Sequence, residues 1–515
     1  MKKFSVLFLA GLLILAFGTL GYAQAPKFEF RASGSFDVQS HLSVNVPPLN
    51  ANATPIFNSL PGDYKTYVGG LPVGAIDRTV SYWDSRFALR FEAAMGKEIT
   101  GVLQFEIDGT RWGDGQGGIR PGSEAHQAAR WSADATAVEV KYMYLDAALP
   151  YMGIPVPMSL RGGVQPMAIR PWFFAATDGA GLSAQLNVSG LGINPFYFKA
   201  AEGIDWVNDD VDIYGLQANY KFGTVTVGGY GVNYNMNQYP MKQDFLAVSP
   251  PVVYVPGYYK ANFWWWGLYA DGKVGPFNMQ FDIGADNGKV WDPANSYDKV
   301  TYFGWAGRLK VDYPWERFNF GGTGMYASGS SMNKTSQTGL PGTTTANGNG
   351  MSYHVNGWMV PIGSETGAAN QESAVFYGME PGASGGQGWA VDHNYTQNSK
   401  GAFGGTWFAK LFGSYMVTPK YKLTLQALYI GDTTTGGNTY GTARNPHTGF
   451  ATYRNDSDIG FEVDILNEWN IYKNLTFKVF GGYLFAGGAT DLFTGNYNHK
   501  LSDPWAIRTR LIYTF

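Results

Sequence analysis

Pro504-Trp505-Ala506-Ile507-Arg508-Thr509-Arg510-Leu511-Ile512-Tyr513-Thr514-Phe515 is the stretch that decides the fold class. On a strand, successive side chains point to opposite faces. Trp505, Ile507, Thr509, Leu511, Tyr513 and Phe515 then share one face, and Ala506, Arg508, Arg510, Ile512 and Thr514 the other. An apolar face opposite a cationic one suits a strand with lipid on one side and water on the other.

The same period of two recurs upstream. Phe28, Phe30, Ala32, Gly34, Phe36 and Val38 alternate with Lys27, Glu29, Arg31, Ser33, Ser35 and Asp37. Trp83, Phe87, Leu89, Phe91, Ala93 and Met95 alternate with Asp84, Arg86, Arg90 and Glu92. Ile99, Leu103, Phe105 and Ile107 alternate with Gln104, Glu106 and Asp108. Val138, Val140, Tyr142 and Tyr144 are placed opposite Glu139 and Lys141. Further segments of this kind run from Phe277 to Ile283, Phe303 to Asp312, Ile459 to Ile465 and Leu475 to Val479. Weaker ones lie near 158–166, 182–188, 193–201, 210–222, 224–234, 263–274, 317–328, 404–417 and 420–430. Segments of about ten residues with alternating hydrophobicity are the sequence form of a transmembrane strand. The expectation is an all-β, antiparallel transmembrane barrel of eighteen strands, with sixteen as the alternative count.

The connections alternate as such a barrel demands. Short ones fall near Gly96-Lys97, Gly223, Gly275-Pro276, Pro314-Trp315-Glu316, Thr418-Pro419 and Tyr472-Lys473-Asn474. Two near 149–157 and 188–193 are slightly longer. Long ones cover about 39–80, 109–136, 167–181, 202–209, 235–262, 287–301, 329–403, 431–457 and 487–503. Short turns on one side and long loops on the other leave both termini on the short side.

Composition agrees. Aromatic residues make up 16% of the chain and Gly numbers 68, which suits interfacial girdles and tight turns. The absence of Cys excludes disulfides and thiolate metal sites. The net charge of −3 gives no basis for binding nucleic acid. Lys2, Lys3, the apolar run Phe4–Leu20 and Ala23-Gln24-Ala25 read as a signal peptide over 1–25, followed by a single barrel domain over 26–515.

The polar face of the strands would line the lumen. Lys478, Arg508, Arg510, Lys27, Arg31, Arg86 and Arg90 form a basic sector across the seam where the barrel closes. Acids are interspersed. Glu106 and Asp108 flank one side, and Glu462 and Asp464 the other. Arg161, Arg308 and Lys310 are further lumen candidates. Such charges either set a field across a pore or pair with one another. The loop at 329–403 carries Trp358, Phe376, Tyr377, Trp389 and Tyr395, and is expected to fold inward or form a lid. The Pro-rich loop at 39–80 is a second candidate constriction. Trp264 and Trp266 would join a girdle, while Trp265 faces the other way. His41, His126, His354, His393, His447 and His499 all fall in expected outer loops, without metal-ligand spacing. No G-x-S-x-G, H-E-x-x-H or P-loop pattern is present, so no enzyme, cofactor or metal is expected.

The terminal strand resembles the closing strand of bacterial outer-membrane β-barrels, whose final aromatic residue is part of the assembly signal. The whole pattern resembles outer-membrane porins. Asp458–Ile465, Asn474–Phe477 and Gly481–Gly487 resemble the penultimate hairpin of alginate-export-type porins, which implies an eighteen-stranded channel for an anionic polysaccharide. The mixed charges here depart from a polyanion channel, so the architecture is carried over and the substrate is not. The resemblance implies a Gram-negative outer-membrane porin, set in outer-membrane lipid and passing small hydrophilic solutes and ions. Its partners would include the barrel-assembly machinery, with a homotrimer as one arrangement. The alternatives are a specific channel for an oligosaccharide or acidic substrate, or a barrel sheathing a partner such as a cytochrome.

Overall fold

The computed structural model describes residues 27–45, 67–68, 71–72, 79–112, 138–149, 157–202, 206, 208–239, 259–291, 293, 299–329, 353–361, 372–378, 405–433, 456–490, 492–494, 497–499 and 502–515. The expected signal peptide, most of the 39–80 loop, and Trp389, Tyr395, His126, His393 and His447 lie outside them.

Eighteen strands build one closed antiparallel barrel. They are β1 (Phe28–Val44), β2 (Val80–Met95), β3 (Ile99–Arg111), β4 (Glu139–Leu149), β5 (Met158–Ile169) and β6 (Ala175–Val188). Next come β7 (Leu191–Ala201), β8 (Val211–Phe222), β9 (Val225–Tyr239), β10 (Tyr259–Val274), β11 (Phe277–Trp291) and β12 (Lys299–Trp315). The last are β13 (Phe318–Ala327), β14 (Thr406–Thr418), β15 (Tyr421–Asp432), β16 (Asp458–Tyr472), β17 (Leu475–Ala486) and β18 (Trp505–Thr514). A three-residue strand, Tyr353–Val355, adds in parallel to the outer end of β12.

Closure is antiparallel between β1 and β18, with Asp37 opposite Ile512 and His41 opposite Arg508. Phe515 and Gly34 exchange backbone hydrogen bonds of 3.0 and 3.1 Å. The Phe515 ring fills the space over Gly34, where a Cβ would stand 2.6 Å from it. The chain end is thus both hydrogen-bonded and packed at the seam, which leaves no open sheet edge there.

The outside of the barrel is apolar. Phe28, Phe30, Leu268, Phe303, Leu411 and Leu425 are all more than half exposed. Trp264 and Trp266 stack at 5.0 Å near the loop end of β10. Tyr421 and Trp469 stack at 4.9 Å near the turn end of β15 and β16. Aromatic residues therefore mark both rims, as at two membrane interfaces. One outward polar pair bridges the seam: Ser40 Oγ and Thr509 Oγ1 lie 2.6 Å apart. A closed barrel satisfies its backbone internally, and with this exterior the chain is a membrane-spanning barrel of the outer-membrane type.

Four expectations need correction. A register shift leaves Ile459 unpaired with β15 and turns it inward, away from the exposed face of Phe461, Val463 and Ile465. The β3–β4 register shifts between Gln104 and Phe105. That bulge turns Tyr142 and Tyr144 to the lumen side, away from the face that carries exposed Val138 and Val140. His41 lies on the lumen side of β1, hydrogen-bonded to Ser43, and not in a loop. The 167–181 connection shrinks to residues 170–174, because β5 and β6 pair as far as Ile169 and Ala175.

Candidate functional site

Two segments from the loop end fold into the lumen. The first is Arg170-Pro171-Trp172-Phe173-Phe174, joining β5 to β6. Phe173 and Phe174 are fully buried. Arg170 is 5% exposed and forms ion pairs with Asp271 of β10 and Asp282 of β11. Its guanidinium also lies 4.4 Å from the rings of Trp172 and Tyr269. One cation on a short connection is thereby tied to strands on another part of the wall. A buried charge is tolerable only when paired in this way.

The second comes from the long connection between β13 and β14. Its described parts are 353–361 and 372–378. Gly357 and Trp358 pass against β12 at Gly304, where an added Cβ would meet the Gly357 carbonyl at 2.4 Å. Only glycine permits that approach. Trp265 Nε1 donates to the Met359 carbonyl at 3.0 Å. Asp286 accepts from the Gly304 and Met359 amides, both at 3.1 Å. Phe173 stacks on Trp358 at 5.7 Å, so the two inward segments meet. Trp265 is fully buried and holds the segment; it offers no stacking surface to a solute.

Residues 372–378 are fastened by charge. Glu372 pairs with Arg308 at 2.6 Å and with Lys410. Burial opposes its ionisation, but Lys410 and Arg308 outweigh burial and hold its carboxyl below the usual range. Glu462 of β16, fully buried, accepts from Ser373 Oγ and from the Val375 and Phe376 amides at 2.8 to 2.9 Å. This is a nest of backbone donors around a carboxylate. Asp464 accepts from the Ala374 amide at 3.2 Å and from Gln426 at 2.7 Å. Tyr377 shares a 2.9 Å hydrogen bond with Thr406, and burial raises its hydroxyl pKa. Arg508 donates to the Gly378 carbonyl.

The residues expected to line a pore therefore divide. Arg308, Glu462 and Asp464 lie on the lumen side but are covered, and they anchor the 372–378 segment. Lys310 is half-buried, with Phe412 at 5.4 Å. The others sit around the seam. Arg510 pairs with Asp37, its Nε 2.8 Å from Oδ2. Lys478 pairs with Glu468 at 2.9 Å, which also takes Lys422 at 3.0 Å. Lys27 and Arg31 pair with Glu29 at 3.9 and 2.6 Å. Arg86 lies 3.5 Å from Glu106. Arg90 pairs with Glu92 at 2.7 Å and donates to Tyr144 Oη at 3.1 Å. Arg161 pairs with Asp146 and lies 4.4 Å from the Tyr144 ring. The side chain of Asp108 is outside the described residues.

Alternation puts Lys141 and Asp282 on polar faces without marking either as a site. Lys141 bridges Glu106 at 3.1 Å and Asp178 at 2.9 Å. Arg170, Asp271 and Asp286 have no such mark in the sequence. The run Pro171-Trp172-Phe173-Phe174 was the available signal, since four such residues do not belong in an exposed loop.

No protein-family model and no curated protein matches the chain. Among solved structures it is similar to OccK9 (OpdG) of Pseudomonas aeruginosa, with 12% identity, 95% of this chain and 98% of that chain covered, and TM-score 0.48. It is similar to a BenF-like porin from Pseudomonas fluorescens Pf-5, with 11% identity, coverages of 95% and 99%, and TM-score 0.47. OpdK of Pseudomonas aeruginosa, crystallised with vanillate, has 11% identity, coverages of 94% and 98%, and TM-score 0.46. These likenesses are distant, and the functional reading rests on the geometry of this chain.

Proposed function

We propose that the protein is an outer-membrane porin, a narrowed water-filled channel for small hydrophilic solutes and ions. The observation that carries this reading is the exposure of charged side chains on the lumen side. The Arg86, Arg510, Lys422 and Lys478 side chains are 41%, 46%, 41% and 38% exposed. Charges on the inner wall of a closed barrel are solvated only by water inside it. The inward segments then set the aperture and the seam charges set ion preference. No enzymatic step is required. A sheath for a protein partner is disfavoured, because 170–174 and 372–378 occupy the space that a partner would need.

In this reading, a leader over 1–25 is removed on export, and the barrel-assembly machinery inserts the barrel into outer-membrane lipid. A homotrimer is one arrangement, to be read from the native mass in detergent.

The test is single-channel conductance of the refolded protein in a planar bilayer under a KCl gradient. Stable open steps with a defined reversal potential are expected. A correctly folded barrel that never conducts would overturn the reading.

A further inference from the structure

A polar cavity of about 410 Å³ lies apart from the inward segments, at the turn end of β3–β7. The registers make it a continuous patch of the inner wall. Thr100 is opposite Asp146, Asp146 opposite Arg161, and Arg161 opposite Ser183. Nearer the turns, Ser159 is opposite Gln185, and Asn194 of β7 completes the lining on that side. Arg161 also touches Tyr144, which Arg90 reaches from above. The seam wall thus leads into this space.

The cavity has a distinctive chemistry. Arg161 and Asp146 neutralise each other. Lys97 and Glu98 add one charge of each sign. No aromatic ring is in the lining. What remains is hydroxyl and amide. Asn194 Nδ2 donates to the Ala184 carbonyl at 2.7 Å, which leaves its Oδ1 to accept. Ser183 donates to Gln165 at 2.7 Å and keeps lone pairs. The Thr100 and Ser159 hydroxyls make no hydrogen bond among the described residues.

An ion of either sign would give up water and meet equal numbers of like and opposite charges. A neutral solute with several hydroxyls gives and takes hydrogen bonds without that cost. The volume falls within the range of about 300–1,000 Å³ usual for ligand sites.

We propose that this cavity binds a small neutral polyhydroxylated solute, a sugar or polyol, on the turn side of the constriction. The site lies in the passage of the proposed channel, but its occupancy needs no current.

Saturation-transfer NMR on the detergent-solubilised barrel tests it, with sorbitol, succinate and putrescine as probes. Sorbitol should be saturated above the other two. Thr100→Val with Ser159→Ala should weaken sorbitol about tenfold, having removed two hydrogen bonds. Ala148→Phe, which fills the cavity, should abolish the signal, with folding of each variant checked by heat-modifiable gel mobility. Absence of sorbitol saturation, insensitivity to both variants, or stronger binding of succinate or putrescine would overturn the proposal. A barrel that binds sorbitol and never conducts would sink the channel reading alone.

Discussion

The two sides of the lumen are built on opposite rules. On β8–β17 the outer half of the inner wall is covered: Val232, Trp265, Val290, Leu428, Ile459 and Leu484 are fully buried. Its charged groups, Glu462, Asp282 and Asp286, hold inward segments and are at most 1% exposed. From β18 through β1 to β5, and in the turn half of β15–β17 where Lys422 and Lys478 lie, many charges stay wet, and they pair with neighbours on the same wall. Charge therefore does different work on the two sides. Buried pairs and carboxylate nests are costly to break because a partner is left unsolvated. Wet pairs contribute about 0–1 kcal/mol and chiefly shape the local field.

That contrast orders the expected effects of substitution. The largest belongs to Glu462→Ala. Three donors of the 372–378 segment lose their acceptor, at about 1–3 kcal/mol each. The segment should leave the lumen and single-channel conductance should rise, while the barrel stays heat-modifiable on a gel. Unchanged conductance would mean that the segment is held elsewhere.

Arg170→Gln comes next. It leaves Asp271 and Asp282 without their cation, a loss of about 3–5 kcal/mol for such a buried pair. Thermal dissociation should occur at lower temperature, and Phe173 should no longer press on Trp358. Calorimetry in detergent reads the first effect. Quenching of tryptophan fluorescence by iodide reads the second.

Glu372 makes the covered side sensitive to acid. Its carboxyl is held below the ordinary value of 4.5, so its contribution is full above that value. The contribution is lost as pH falls through the lowered value, where the carboxylate takes a proton and releases Arg308 and Lys410. Conductance should be level above the ordinary carboxylate value and should rise only as pH falls below it. Glu372→Gln should show the acid-state conductance at neutral pH.

The smallest structural effect is expected on the wet side. Arg31→Ser removes a pair exposed on both partners, which contributes little to stability, and leaves Glu29 to Lys27. The reversal potential in a KCl gradient should move toward cation preference with little change in stability. Equal shifts from Arg308→Ser would erase the distinction between the two sides.

The strands were legible because alternation is local. Every expected segment overlaps a barrel strand, and the terminal strand carries the same faces that its sequence suggested. Faces failed only where a bulge intervened, as at Tyr142 and Tyr144, since one extra residue reverses all that follow. The site was harder to see. Glu462 and Asp464 have the spacing of lumen residues, and nothing in β16 says that a segment about ninety residues upstream covers them. Alternation fades at the ends of β5 and β6, although Pro171-Trp172-Phe173-Phe174 carries the apolar mark of burial. Long-range contact, not local pattern, decides which charges meet water.

The chain has no Cys, so single cysteines can report each side directly. Arg86→Cys and Leu428→Cys in the refolded barrel would be treated with a small charged thiol reagent, and the labelling rates compared. The seam position should react at least about tenfold faster, because thiol modification follows access to water. Equal rates at the two positions would contradict a lumen filled on one side and open on the other.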